Sequence, residues 1–197
     1  MAKLNFVKSN FLDNINSCFK LFIFIFLTIL LILLKTLLQF FERKISMKIV
    51  QTFHKLLLWV LNINVEVFGK KNPNNMPTLY VSNHLSYLDI PVLGSTLNGR
   101  FIAKNEISHW PFAGYLSKVG NTIFINRNLK FLKKNKSIIL DHISSGDNII
   151  LFPEGTTSDG MRVLNFKSSL LYSLDQKNII IQPIVINYKS INGMPLN

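Results

Sequence analysis

Residues 21–34 read LFIFIFLTILLILL, fourteen positions without a charge and with Thr28 as the one polar side chain. Nothing else in the chain limits its folding as sharply. Such a run must be covered by protein or by lipid. Fourteen helical residues reach about 21 Å, short of the ~30 Å hydrocarbon thickness of a bilayer. Continuation through TLLQFF (36–41) gives a run of 21 residues with Lys35 inside it. Lys35 then snorkels if it lies near one end. A secretory leader is disfavoured, because no small-residue cleavage site follows. Both flanks are basic, with Lys3, Lys8 and Lys20 before the run and Lys35, Arg43, Lys44, Lys48 and Lys55 after it. Charge asymmetry therefore chooses no orientation. The pattern suits a shallow hairpin or interfacial segment on a cytoplasmic face better than a simple span. Ile45, Ile49, Phe53, Leu56, Leu57 and Val60 recur at spacings of three and four among lysines, a basic amphipathic pattern that points to membrane contact.

Composition extends this reading. The chain carries 22 Lys+Arg against 10 Asp+Glu, a net charge of +12, yet 48% of its residues are hydrophobic. Sixteen Phe and long Ile/Leu runs exclude a disordered basic tail. An apolar and cationic chain suits an anionic membrane. Nucleic-acid binding is disfavoured, because the aromatics gather in the apolar anchor instead of interleaving with lysines on a sheet. One cysteine, Cys18, excludes an intramolecular disulfide and a cysteine zinc site, and the four His form no H-x-x-x-H pair. No metal and no cofactor are expected.

From residue 62 short β-rich runs alternate with helical stretches. Strands are expected at 65–68, 79–82, 101–103, 122–125, 149–152 and 179–186, and helices at 87–97, 112–118, 129–144 and 164–174. This is an α/β pattern: a mixed, largely parallel sheet covered by helices and preceded by an N-terminal hydrophobic and amphipathic helical membrane anchor. The runs IILF and IIIQPIVI suit central strands buried on both faces. Residues 1–60 form the anchoring segment and 61–197 the α/β domain, with the turn-like KKNPNNMP (70–77) joining them.

Active sites in such sheets collect where strands end and helices begin. Three expected strands are followed there by polar clusters: NHLSYLD, NR and PEGTTSDG. His84 and Asp89 are five residues apart, about 500° of helical rotation, so they cannot share one helix face. They meet if His84 precedes the helix and Asp89 lies in its first turn. Ser86 as N-cap with Asp89 closing a capping box, or Asp89 itself as N-cap, both give that geometry. A His held by an Asp is a general base. The alternative is a capping Asp beside a surface His. Glu154, Gly155, Thr156 and Thr157 belong to a loop whose N–H groups and hydroxyls suit a phosphate or polyol head group, or which simply caps a helix. Arg127 opens a basic run through Lys130, Lys133, Lys134 and Lys136, suited to a solvated helix face, an anionic lipid surface or an acidic carrier protein.

Taken together, N-H-x4-D (Asn83, His84, Asp89), F-I-x-R (Phe124, Ile125, Arg127), F-P-E-G-T (Phe152–Thr156) and a hydrophobic strand with Pro183 resemble the lysophospholipid (1-acylglycerol-3-phosphate) acyltransferase family. The resemblance implies a membrane-bound O-acyltransferase of phospholipid biosynthesis, on the cytoplasmic face of the inner or plasma membrane. It would move a fatty acyl group from acyl-carrier protein or acyl-CoA to a lysolipid hydroxyl, 1-acylglycerol-3-phosphate giving phosphatidate. It implies His84 as base, Asp89 orienting it, Lys104 as oxyanion candidate, and Arg127, Glu154, Gly155 and Thr156 on the acceptor.

Three departures qualify the resemblance. The third block often reads E-G-T-R-S, whereas position 157 here is Thr157, which lacks the bidentate phosphate grip of Arg. Relatives with Thr there include lyso-ornithine lipid acyltransferases, a second reading of the acceptor. Gly120 lies seven residues before Arg127 instead of six. The chain also ends soon after the Pro183 strand, where relatives continue, which reads as a short form or a fragment. A non-catalytic membrane-surface module is the reading from a different class. It gives no reason for N-H-x4-D and E-G-T to coexist.

Overall fold

The computed structural model describes residues 11–37, 43–69, 76–126, 128–167, 179–191 and 194–195. Its centre is a five-stranded sheet of β1 (Thr78–Ser82), β2 (Arg100–Lys104), β3 (Ile123–Ile125), β4 (Ile149–Leu151) and β5 (Ile180–Ile184). The order is β3-β2-β4-β1-β5 and every pairing is parallel. Among the described residues, antiparallel pairing appears only in a separate two-stranded ladder, β6 (Ser190–Ile191) with β7 (Met194–Pro195).

Alternation along the strands builds two apolar layers. Leu79, Ile149 and Leu151 face one side with Ile123 and Ile125, and meet Ile139 and Ile143 of α5 (Leu132–Ser144). Tyr80, Ile150 and Phe101 face the other side with Ile186, and meet Leu93 and Leu97 at α3 (Asp89–Thr96). Leu79, Ile149 and Ile150 are fully buried, as expected for central strands covered on both faces. The IIIQPIVI run departs from that expectation. β5 lies at the sheet edge, where Ile181 and, beyond it, Val185 are exposed. Pro183 pairs across to Val81 in that edge strand. An edge strand tolerates the missing N–H of a proline that a central strand would not.

Several expected elements shift. Residues 65–68 are not a strand; Val67 and Phe68 are largely exposed. Lys189 stands over the Phe68 ring and pairs with Glu66, so side chains hold this segment where no β-ladder does. The third expected helix starts with a 3₁₀ turn at Leu129–Phe131, and α4 spans Ala113–Val119. Residues 164–167 are not helical, and the rest of the helix expected over 164–174 lies outside the described residues.

The apolar run lies in α1 (Phe11–Leu37), which extends upstream of it. Its 21-residue apolar window, Ile15–Lys35, corresponds to about 31 Å and is long enough to cross a bilayer by length and composition. Lys35 does not snorkel into solvent. Its Nζ donates to Ser46 Oγ at 2.5 Å and to Asn121 Oδ1 at 3.0 Å. α2 (Arg43–Val60) packs Met47, Val50 and Leu58 inward, and crosses α3. Of the expected stripe, Val60 is buried, while Ile45, Ile49, Phe53, Leu56 and Leu57 stay half-buried or exposed. α2 therefore packs mainly through Met47, Val50, Leu58 and Val60 and leaves most of that stripe partly open.

The α2–α3 crossing depends on Gly94, since a Cβ there would stand 2.0 Å from Nδ1 of His54. Burial, partly opposed by the Gly94 backbone, lowers the His54 pKa to about 4, so the packed ring is neutral. Gly94→Ala should cost about 1–3 kcal/mol by overpacking. His54→Ala in the same chain should recover part of that loss. Equal losses from Gly94→Ala with and without His54, by denaturant unfolding in detergent, would show the contact is not limiting.

Candidate active site

The strand register places the polar clusters on one edge of the sheet. Val81, Leu151 and Ile102 stand near one level, since Val81 pairs Leu151 and Phe101 pairs Ile150. His84 lies three residues beyond this level on β1, Glu154 three beyond on β4 and Lys104 two beyond on β2. With strands ~4.8 Å apart, Lys104 stands about 10 Å along the edge from the β1 exit. The order along the edge is the β5 exit, His84, the 153–160 loop and Lys104. Arg127 lies outside the described residues.

The segment after β1 turns sharply so that His84 comes before α3 and Asp89 opens it. Neither Ser86 nor Asp89 is the N-cap; that position is Leu88, and Asp89 is the first helical residue. Ser86 instead closes the preceding turn: its carbonyl accepts from Asp89 N at 3.1 Å, and its hydroxyl from Leu88 N at 3.2 Å. Pro91 is then the third helical residue, where no intrahelical bond is lost. Relieved of capping the helix, the Asp89 carboxylate points back at the turn. Its Oδ2 accepts from His84 Nδ1 at 2.7 Å, Leu85 N at 2.6 Å and Ser86 N at 3.0 Å. Its Oδ1 accepts from Tyr188 Oη at 2.5 Å.

Asp89 is fully buried. Burial pushes its pKa up, but the donors from His84, Ser86, Tyr188 and Leu85 outweigh this and hold it below its ordinary value. The site therefore keeps a buried carboxylate anion. That anion fixes the His84 tautomer with the proton on Nδ1, which leaves Nε2 as the basic nitrogen. Stacking on Phe152, centroids 4.0 Å apart, holds the ring from its face. Phe152 in turn stacks at 6.1 Å on Phe101.

The 153–160 loop is tied to the same histidine, with Ser158 N donating to the His84 carbonyl at 2.8 Å. Gly155, at φ +71°, makes the turn after β4 and donates its N–H to the Phe152 carbonyl. Only glycine takes that conformation without strain. Glu154, expected to face the acceptor, is buried and accepts from Leu164 N at 3.2 Å. Thr156 and Thr157 are exposed, and Lys104 is half-buried. The turn thus brings His84, Asp89 and the loop together, with Glu154 bracing the loop from inside.

Tyr188 is the residue that sequence reasoning missed. No local spacing marks it, since 99 residues separate it from Asp89. Only pairing β5 beside β1 would have brought it forward. Because the Asp89 pKa is depressed on folding, its contribution to stability is full above its ordinary value near 3.8 and lost as pH falls through the native value. Asp89→Asn should be less stable at pH 7 by about 1–3 kcal/mol. Its unfolding midpoint should also fall less steeply than the parent's below pH 4. Identical acid slopes for the two proteins would refute the buried-anion assignment.

Comparisons with known proteins bear on the family and the fold. A protein-family model described as Acyltransferase matches residues 64–187. The lyso-ornithine lipid O-acyltransferase of Rhodobacter capsulatus is 33% identical over 144 residues, 71% of this chain and 51% of that protein. The 1-acyl-sn-glycerol-3-phosphate acyltransferase of Neisseria meningitidis is 31% identical over 140 residues, 70% of this chain and 54% of that protein. The chain spans about half the length of the curated relatives it matches. The crystal structure of the 1-acyl-sn-glycerophosphate acyltransferase from Thermotoga maritima superposes with a TM-score of 0.54 at 26% identity, covering 78% of this chain and 70% of that one. The family match runs from just after α2 to just past β5, the stretch that builds this sheet and its polar edge, and the chain belongs to the acyltransferase family that includes the lysophospholipid acyltransferases.

Proposed function

We propose that the chain is an O-acyltransferase that moves a fatty acyl group from a thioester donor, acyl-carrier protein or acyl-CoA, to the free hydroxyl of a lysolipid. The observation that carries this reading is the His84–Asp89 pair, with Nδ1 bound to a buried carboxylate and Nε2 left basic. Nε2 takes the proton from the acceptor hydroxyl as its oxygen attacks the thioester carbonyl. Asp89 stabilises the imidazolium formed, and the proton returns to the departing thiolate. The carbonyl oxygen becomes negative in the tetrahedral intermediate, and Lys104 on the same edge supplies positive charge for it. Arg127, Gly155, Thr156 and Thr157 bind the acceptor head group. The reaction so drawn uses no cofactor besides its donor. The alternative of a binding module gives no use to a histidine held by a buried carboxylate.

The acceptor reading divides on position 157. Uncharged Thr157, together with the names of several relatives, favours lyso-ornithine lipid. Names of other relatives and of the structural neighbour favour 1-acylglycerol-3-phosphate, which would rely on Arg127, Arg162 and Lys167 for phosphate charge. Location at the cytoplasmic face of a membrane follows the same reading. It is supported by the exposed apolar surface of α1, including Phe19, Phe22 and Phe26, and by Phe112, whose ring meets Phe24 of α1 at 6.1 Å.

His84→Ala should lower acyl transfer about 10²- to 10⁴-fold, the usual worth of a general base, and leave membrane association unchanged. Turnover at the parental rate would sink the mechanism. Membranes bearing the protein, given labelled acyl donor and both lysolipids, should acylate lyso-ornithine lipid faster. Acylation of lysophosphatidate alone would reverse the acceptor assignment.

A further inference from the structure

Tyr188 reaches the site from the segment that follows β5, and two features fix that segment. β5 runs beside β1 in parallel register, Ser82 against Ile184. Beyond the ladder, Asn83 takes over. Its Oδ1 accepts from Ile186 N at 2.8 Å, and its Nδ2 donates to the Ile186 carbonyl at 3.0 Å. This side chain thus mimics one more rung of the sheet. Ile186 is buried, and Tyr188 packs on the apolar layer that holds Leu93, Leu97 and Phe101. The phenol is then delivered to the one Asp89 oxygen that His84, Leu85 and Ser86 do not use.

A carboxylate held by one oxygen can still turn, because its terminal torsion is soft. Turning would swing Oδ2 off the line to His84 Nδ1. A donor on Oδ1 stops this rotation. It also draws electron density from the carboxylate, so Asp89 stabilises the imidazolium less than an otherwise free anion would. Burial, reinforced by the hydrogen bond to Asp89, raises the Tyr188 pKa, so the phenol remains a donor throughout the working range. His84 and Tyr188 are the titratable groups that face Asp89, and the Ser86 hydroxyl adjoins the phenol.

We propose that Tyr188 is a positioning residue of acyl transfer: its hydroxyl locks the second oxygen of Asp89 and thereby sets the aim and the basicity of His84. This rests on the reading of His84 as the general base.

The test is Tyr188→Phe in the full chain in detergent or vesicles, assayed with labelled thioester and lysolipid across pH. Loss of one hydrogen bond worth ~0.5–1.5 kcal/mol should lower kcat about 2- to 12-fold, with KM within about twofold. Because Asp89 becomes the stronger acceptor, the acidic limb of the kcat–pH profile should move to higher pH. Replacing Tyr188 by 3-fluorotyrosine keeps the ring and strengthens the donor. That protein should retain its unfolding midpoint and move the limb the other way. An acidic limb unchanged in both proteins overturns the proposal, and so does a fall in kcat that only tracks loss of folded protein. His84→Ala is assayed in parallel. If it turns over at the parental rate, the general-base reading itself has failed; if it is inactive, the limb shifts judge Tyr188 alone.

Discussion

The site depends on one anion out of contact with water. Desolvating a carboxylate is expensive, and the chain compensates with four donors on two oxygens: two backbone amides, an imidazole and a phenol. The turn between β1 and α3 takes its shape from that requirement. Leu85 and Ser86 present their amides inward because Asp89 is there to receive them. His84 is thereby placed at the sheet edge, with Phe152 stacked on its ring. Removing the carboxylate would leave amides, phenol and imidazole unpaired in the same buried space, and neutralising it would weaken every one of these bonds. The constraint therefore acts on fold and chemistry together.

The parallel sheet sets this local turn on an edge shared with other polar groups. In an all-parallel sheet every strand exit lies on the same side, so the clusters after β1 and β4 and Lys104 at the end of β2 line up without further design. The opposite edge shows what happens where that logic is absent. There His142 Nδ1 stands 2.8 Å from Asp147 Oδ2, with the same five-residue spacing as His84 and Asp89. Yet Arg100 also binds that Asp147 oxygen, at 2.5 Å, and donates to the Asn121 carbonyl. The group clamps strand entries. The same H-x4-D spacing thus serves different surroundings at the two edges of the sheet.

This explains how much could be read from the chain. Strands β1 to β4 were legible because buried parallel strands appear as short continuous apolar runs bounded by turn residues. Helical rotation excluded a shared helix face for His84 and Asp89, and the capping signal at 86–89 suggested His84 before the helix with Asp89 in its first turn. The cap did not, because Asp89 gave its carboxylate to the preceding turn and left Leu88 at the boundary. Residues 65–68 misled because β-rich composition needs a partner strand, and the ion pair and cation–π contact to Lys189 hold that segment instead. Local spacing also did not reveal that Glu154 is buried, with its carboxylate accepting from Leu164 N. The stripe read on α2 is only partly a packing face: Val60 is buried with Met47, Val50 and Leu58, while Ile45 and Leu56 are exposed. Tyr188 was invisible to any local window.

The separation between Asn83 and Ile186, 103 residues, bears on the order in which the protein is made. The apolar helix and the N-H-x4-D turn leave the ribosome first, while the strand beside β1 and the phenol that saturates Asp89 emerge about a hundred residues later. At roughly 5–20 residues per second, that gap lasts from several seconds to about twenty. During it α1, long and apolar enough to cross a bilayer, is already made, yet the His84–Asp89 pair lacks the donor on Oδ1 and the strand that braces Asn83. Contacts this distant in sequence form late and slowly. The turn around Asp89 is thus fully satisfied only when β5 docks.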